Sequence, residues 1–220
     1  MKIIGIAGQA QNGKDSIADR LALKLNSSPK NWQRMAFASA VKKVFCETFN
    51  VDLEFIEKWK TISENPPGFD CTVRQALQFI GDGFRKIKSS VWLDLAFRDK
   101  HVSTIVSDVR YVNEFSRIKN EGGLNILVAR PDKINYDSND SEAQIRPYSN
   151  YLLSRFRNDK SGVINLNNID WAESRKLVFQ PPEHIEMFDL FVCNCGTKDD
   201  LYNLVDHHIV PFCENFVFKN

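Results

Sequence analysis

Gly8-Gln9-Ala10-Gln11-Asn12-Gly13-Lys14-Asp15-Ser16 follows an apolar run from Lys2 to Ala7 and leads into a segment of helical periodicity that begins near Lys14. The stretch therefore predicts a strand, a glycine-bounded loop and a helix, with a lysine where the helix starts. A loop of this kind turns several backbone N–H groups onto one anion, and the helix N-terminus adds its positive dipole end. Lys14 stands where an ammonium reaches the outer phosphates of a nucleoside triphosphate. The spacing G-x4-G-K is that of a phosphate-binding loop, but Asp15 replaces the usual Ser or Thr and the hydroxyl comes one place later, at Ser16. A tight turn that merely contains a lysine is the bland alternative. The strand before it and the helix after it weigh against that.

The 220 residues suit one α/β domain with an excursion or a small lid, and 43% hydrophobic content with 16 Phe and 4 Trp is ample for a packed core. Lys plus Arg number 29 against 28 Asp plus Glu, for a net charge of +1, so there is no basic excess of the kind that marks a duplex-binding protein. No apolar run reaches the roughly 18 residues a membrane span needs, and the N-terminus lacks signal-peptide anatomy. Neither nucleic acid nor membrane is expected as a partner. Five cysteines, Cys46, Cys71, Cys193, Cys195 and Cys213, form a scattered odd set, which suits idle thiols in a reducing cytoplasm. Cys193 and Cys195 are expected on opposite faces of a strand. The pair His207-His208 reads as a solvated helix end rather than a metal site.

Outward from the loop, Ile17, Ala18, Leu21, Ala22 and Leu25 predict an amphipathic helix over 14–25. Residues 34–38 read as a second strand, and Ser39 as the N-cap of a helix through Val41, Val44, Phe45 and Phe49. Lys42 and Lys43 then fall near its first turn, where Lys42 could meet a phosphate. Residues 52–60 suggest another short helix. Thr72 caps a helix whose stripe is Val73, Ala76, Leu77, Ile80, Phe84 and Ile87. Arg74, Gln78, Gly81 and Arg85 fall along one flank of that stripe, a set suited to a phosphate and a base approaching closely. Ser90 to about Lys100 is the next helix, and its Trp92 could stack on a base or fill a core.

Val102 to Val106 predicts a central strand that delivers Ser107-Asp108-Val109-Arg110 to its carboxyl end, where ligands of open α/β sheets sit. Asp108 could hold Mg2+ through water, and Arg110 could clamp a phosphate. The alternative is an internal Asp–Arg pair. A helix over 113–122 and a strand over 124–129 follow. From Asp132 to about Met187 the strand–helix rhythm breaks down, as in a lid or binding insertion. Within it, residues 147–157 suggest one helix presenting Arg155 and Arg157, with Arg146 just before it. Leu190 to Asn194 reads as the last strand. Gly196-Thr197 turns into a helix over 198–208, and the aromatic tail packs on the domain.

Taken together, the separated pieces resemble deoxynucleoside monophosphate kinases of the bacteriophage type, a branch of the phosphate-loop kinases. They are Gly8-x4-Gly13-Lys14-Asp15-Ser16, Phe37-Ala38 with Val41-Lys42, Thr72-Val73-Arg74-Gln75-Ala76-Leu77-Gln78, and Trp92. Ser107-Asp108-Val109-Arg110 with Asn113-Glu114, Arg130-Pro131, Ser141-Glu142, and Asn194-x-Gly196-Thr197 with Asp200-Leu201 complete the set. They run along nearly the whole chain except about residues 145–187.

The resemblance implies transfer of the γ-phosphoryl of ATP to a deoxynucleoside monophosphate, with Mg2+, in the cytoplasm (of the host cell if the origin is a phage). It implies a three-layer α/β/α phosphate-loop kinase fold with a mostly parallel sheet of about five strands. The core would be about 1–38, 101–130 and 188–210, with a helical acceptor-binding region at about 39–100 and an enlarged lid at about 131–187. ATP would be held by Gly8, Asn12, Gly13, Lys14, Asp15, Ser16, Arg130, Gly196 and Thr197. The monophosphate would be held by Lys42, Arg74, Gln78, Trp92, Arg110 and Glu142. Lys14, Arg74, Asp108 and Arg110 would carry the catalysis, with the metal near Asp15, Ser16 and Asp108. A homodimer is left open.

This chain departs from the family's pattern at Gln9, Ala10 and Gln11, where a lysine or arginine is common, and at Asn139, where a histidine is common. The missing charge is then expected from the lid, or the enzyme is slower without it. The insertion after Glu142 is unusually long. Another small-molecule phosphate-loop kinase, such as a dephospho-coenzyme A kinase, and a non-catalytic nucleotide-binding protein are the alternatives.

Overall fold

The computed structural model describes residues 2–27, 31–98, 102–133, 143–156 and 161–219. The chain divides into two compact units, Met1–Met35 with Asp99–Asn220, and Ala36–Arg98.

The first unit is built on a sheet whose strands are β1 (Ile3–Ala7), β2 (Trp32–Met35), β3 (Ser103–Val109), β4 (Leu124–Ala129), β5 (Gly162–Asn165) and β6 (Leu190–Cys193). Their order is β2-β3-β1-β4-β6-β5, with every pairing parallel except that of β5 with β6. β1 and β4 are buried along their whole length, as the continuous apolar runs of a sheet covered on both faces require.

The pleat assigns the two faces. Ile4 and Ile6 pack with Ile17 and Leu21 of α1 (Lys14–Leu25) and with Leu201, Val205 and Ile209 of the C-terminal helices. Gly5 faces the other way, where a Cβ would lie 2.7 Å from both Ile118 Cδ1 and Asn125 Oδ1. Ile118 belongs to α6 (Val112–Asn120). Helices thus cover both faces of the sheet, and the architecture is the expected three-layer α/β/α fold with a mostly parallel sheet.

Several local expectations change. The second strand starts and ends earlier than residues 34–38, because α2 (Phe37–Phe49) already begins at Phe37 after Ala36. Ser39 lies inside that helix rather than capping it, and Lys42 lies beyond its first turn. β3 runs on to Val109, so Ser107 and Asp108 lie within the strand and only Arg110 follows it. The stretch read as irregular carries regular structure. α7 (Arg146–Phe156) buries Tyr148, Tyr151, Leu152 and Leu153, β5 adds the sixth, antiparallel edge strand, and the short α8 (Trp171–Ser174) follows it. Arg146 opens this helix instead of preceding it. Asp189, 2% exposed, accepts from Asn125 N at 2.9 Å and Asn167 Nδ2 at 3.2 Å and pairs with Lys119, tying that stretch to β4 and α6.

At the C-terminus, α9 (Lys198–Leu204) passes through a π-helical turn (Val205–Ile209) into α10 (Val210–Lys219), so His207 and His208 sit within a continuous helical run. Phe212 and Phe216 pack on the core, as expected of the aromatic tail.

The second unit is helical: α2, α3 (Leu53–Trp59), α4 (Val73–Ile87) and α5 (Val91–Ala96). Asp52 caps α3, and Thr72 with Gln75 forms the capping box of α4. Phe45, Ile56, Val73 and Ala76 form its core. The expected α4 stripe holds at that end only, since Phe84 is exposed and Ile87 is 84% exposed.

Candidate functional site

The loop between β1 and α1 stands over the carboxyl ends of the parallel strands. Val128 O of β4 lies beneath it. A Cβ on Gly8 (φ +148) would meet that oxygen at 2.3 Å, and Asn12 Nδ2 donates to it at 3.2 Å. Asn194, just past β6, donates from Nδ2 to Asn12 O at 3.0 Å. Gly13 precedes α1 in the left-handed region, φ +98, where a Cβ would lie 2.8 Å from Asn194 Nδ2 and 2.9 Å from Leu201 Cδ2. Both glycines are therefore demanded by close approach as well as by backbone angle.

Lys14 is the first residue of α1 and is 7% exposed, and its Nζ donates to Gln9 O at 2.5 Å. An ammonium is thus folded back over its own loop at a helix N-terminus, the arrangement that accepts a phosphate chain.

Asp15 is occupied differently from the expectation. Arg34, at the carboxyl half of β2, pairs with Asp15 and, through Nη1, with Asp19 Oδ1 at 2.5 Å. Ser107 Oγ of β3 joins the cluster, 3.2 Å from Asp15 Oδ1 and 3.4 Å from Arg34 Nη2. Arg34 is a cation beside the loop that sequence reading missed, and it stands in β2 rather than in residues 131–187. Its charge is already met by two carboxylates.

Mg2+ bridging phosphates needs only one or two protein oxygens, the rest coming from phosphate and water. The half-buried Ser16 hydroxyl and Asp108, near the carboxyl end of β3, have suitable hard oxygen donors. Asp15, held by Arg34, is the poorer candidate of the three. Among the described residues, no group of three or more His, Cys, Asp or Glu side chains could by itself hold a metal.

After β3 the chain turns on Glu114, 2% exposed, which accepts from the backbone N–H of Arg110 at 2.8 Å and of Tyr111 at 3.1 Å. That bond fixes where Arg110 leaves the strand. Arg130 follows β4 and pairs with Asp132 at 3.2 Å, holding that carboxyl below its usual range. Thr197 caps α9: its hydroxyl accepts from Asp200 N at 3.2 Å and donates to Asp200 Oδ2 at 2.7 Å. The hydroxyl's hydrogen bond and that of the Thr197 N–H, which donates to Oδ2 at 2.9 Å, hold the Asp200 carboxyl low, and a Cβ on Gly196 would meet it at 2.6 Å. The loops bearing Gly8–Gly13, Arg110, Arg130 and Gly196-Thr197 all leave the same end of the sheet, since their strands run parallel.

The second unit holds the remaining predicted residues. Arg74 and Gln78 are exposed on successive turns of α4. Gly81 is buried, a Cβ there would lie 3.5 Å from Arg85 Nη1, and Arg85 pairs with Asp82 at 3.5 Å. Lys42 Nζ pairs with Glu57 at 2.7 Å, and that bond together with Lys60 holds Glu57 down to about 2. Trp92, 2% exposed, donates from Nε1 to Gly81 O at 3.1 Å and packs its ring against Phe84 at 5.6 Å. The indole is core, so it offers no face on which a base could stack. Glu142, Asn139 and Arg157 lie outside the described residues. Arg155 is exposed, its Nη1 on Tyr151 Oη at 3.0 Å.

Cys193 and Cys195 do not face opposite ways: residues two apart share one face of an extended chain, and their sulfurs lie 3.3 Å apart. Burial pushes the Cys213 thiol up. No helix among the described residues is long and apolar enough to cross a membrane.

The chain is 29% identical over 170 residues to the protein named "Putative deoxynucleotide monophosphate kinase" of Acanthamoeba polyphaga mimivirus, covering 69% of this chain and 86% of that one. No protein-family model matches. Among solved structures, APE1195 aligns with a TM-score of 0.36 at 19% identity over 94% of this chain and 96% of its own. An unliganded sugar kinase from Janibacter sp. HTCC2649 aligns with a TM-score of 0.32 at 12% identity over 68% and 77%. Those structural likenesses are loose, and the strand order of the chain itself defines its fold.

Proposed function

We propose that this chain transfers the γ-phosphoryl group of ATP to a deoxynucleoside monophosphate, giving the diphosphate. The observation that carries the reading is the loop Gly8–Ser16. Its two glycines are held against Val128 O and Asn194, and Lys14 lies buried at the start of α1. The similarity to the mimivirus protein supports the choice of a deoxynucleotide acceptor.

Phosphoryl transfer asks little covalent chemistry of a protein, and positioning with charge neutralisation supplies most of the rate. The loop amides and Lys14 would bind the β- and γ-phosphates, with Lys14 following the transferred group. Ser16 and Asp108 would hold Mg2+, which when bound neutralises charge on the phosphate oxygens. Arg110, aimed by the Glu114 turn, and Arg74, in the first turn of α4, would hold the acceptor monophosphate. Arg130 and Gly196-Thr197 would border the nucleotide. No side chain is nominated as a general base.

The test is an ADP-release assay with ATP, Mg2+ and each deoxynucleoside monophosphate in turn. Turnover of at least one acceptor well above ATP hydrolysis is expected. Folded protein that phosphorylates none of them overturns the reading. Arg74→Ala and Arg110→Ala should each raise the KM for the monophosphate more than that for ATP.

A further inference from the structure

Asn194 and Asn12 are both buried, at 2% and 1% exposure, and stand 182 residues apart in sequence. Asn194 is fixed from behind, since its backbone N–H donates to Ala129 O at 2.9 Å, continuing the β4–β6 pairing one residue past β6. Its side-chain amide then reaches forward to Asn12 O at 3.0 Å, while Asn12 Nδ2 reaches down to Val128 O at 3.2 Å. Neither bond comes from the local turn. The loop is held from two strands, β4 below and β6 at the side. The same Asn194 nitrogen closes the space over Gly13, and among the described residues the side-chain oxygens of both asparagines have no hydrogen-bond partner. Each amide is therefore used for its donor alone.

We propose that Asn194 is a positioning residue for the phosphate-binding loop, acting through Asn12 to hold the Gly8–Lys14 backbone in the form that receives a nucleotide polyphosphate. This rests on reading residues 8–16 as that loop. A loop that must order its amides on binding loses affinity to the ordering, whereas a braced loop meets the anion already arranged. The carbonyl of Asn12 would otherwise compete with the phosphate for donors nearby. Asn194 takes up that carbonyl, so it does not draw on the loop's own N–H groups.

Two measurements on Asn194→Leu, which keeps the bulk and removes the donor, and Asn194→Ser, which is smaller and polar, decide the matter. The first is amide hydrogen exchange of residues 9–14, which needs no ligand. The second is calorimetric titration with ATP. Exchange at Asn12, Gly13 and Lys14 should speed up while β1 and β4 keep wild-type protection. ATP should bind about 3- to 10-fold more weakly, the equivalent of one lost hydrogen bond. Joining Asn12→Ala to Asn194→Leu should cost less than the sum of the single changes, because both act on one brace. Wild-type exchange in the loop, or faster exchange with ATP affinity kept within twofold, overturns the proposal. If the wild-type protein itself takes up no ATP, the nucleotide reading falls, and exchange alone still decides whether Asn194 braces the loop.

Discussion

The guanidinium of Arg34 on β2 closes onto the carboxylate of Asp15, the residue that follows Lys14, and reaches Asp19 with its other nitrogen at 2.5 Å. The cluster carries one positive and two negative charges next to a loop read as receiving a polyanion. Removing the guanidinium should leave two carboxylates facing the phosphates. Arg34→Gln is expected to weaken ATP binding several-fold, on the order of an exposed pair's ~1 kcal/mol. Adding Asp15→Asn should restore most of it, and raised salt should shrink the difference. Titration of the two variants checks this; failure of the second change to restore affinity would remove Asp15 as the cause.

Lys14 Nζ lies 2.5 Å from Gln9 O, parked on the loop it would leave to follow a phosphoryl group. Lys14→Ala should lower the transfer rate by about 10^2-fold or more, as expected for one aimed positive charge at a developing transition state. Steady-state kinetics at saturating ATP measure it. An unchanged kcat takes the lysine out of the mechanism.

Gly13→Ala and Gly68→Ala form an informative pair. Both glycines have positive φ, +98 and +81, but only Gly13 is crowded, by Asn194 Nδ2 at 2.8 Å and Leu201 Cδ2 at 2.9 Å, whereas nothing lies within 4 Å at Gly68. Gly68→Ala should cost about 1 kcal/mol of backbone strain and leave ATP binding alone. Gly13→Ala should cost more and abolish ATP binding. Urea unfolding with calorimetry separates the two effects, and equal behaviour would refute the crowding argument.

Asp206 links the π-helical turn to α1: it accepts from Arg20 Nε at 2.8 Å and pairs with Lys24 at 2.8 Å. The Arg20 hydrogen bond holds its carboxyl down to about 2. A carboxylate whose folded pKa is depressed stabilises the fold above the ordinary value near 4 and loses that contribution as pH falls toward the folded value. Because the pair is partly exposed, about 1 kcal/mol or less is expected at pH 7. Asp206→Asn should therefore be less stable than wild type at pH 7 and match it near pH 2. A gap that persists at pH 2 would point to packing instead.

β1, the loop, α1 and β4 were legible from local pattern. The apolar runs Lys2–Ala7 and 124–129 and the helical spacing of Ile17, Leu21 and Leu25 each report a neighbourhood the chain carries with it. The Thr72 cap was legible for the same reason, since it closes within four residues. The start of α2 was misplaced because Ser39 looked like a cap, while the helix begins at Phe37 after an Ala36 that makes no side-chain cap. β5 was missed because a four-residue edge strand has too little periodicity to register, and only pairing with β6 makes it a strand. Trp92 could stack or fill, and the carbonyl of Gly81 settled it as core.

By itself, then, the sequence determined that a glycine-bounded loop joins a buried strand to a helix, with Lys14 at the junction, because those are short-range consequences of glycine, apolar spacing and charge. Only the tertiary structure decided what holds that loop and what stands beside it. Asn194 and Val128 brace it, and Arg34 with Ser107 closes over Asp15. Those contacts join residues up to 182 positions apart, and a hydrogen bond or ion pair at such separation leaves no period in the chain. It exists only once parallel strands have set their carboxyl ends side by side.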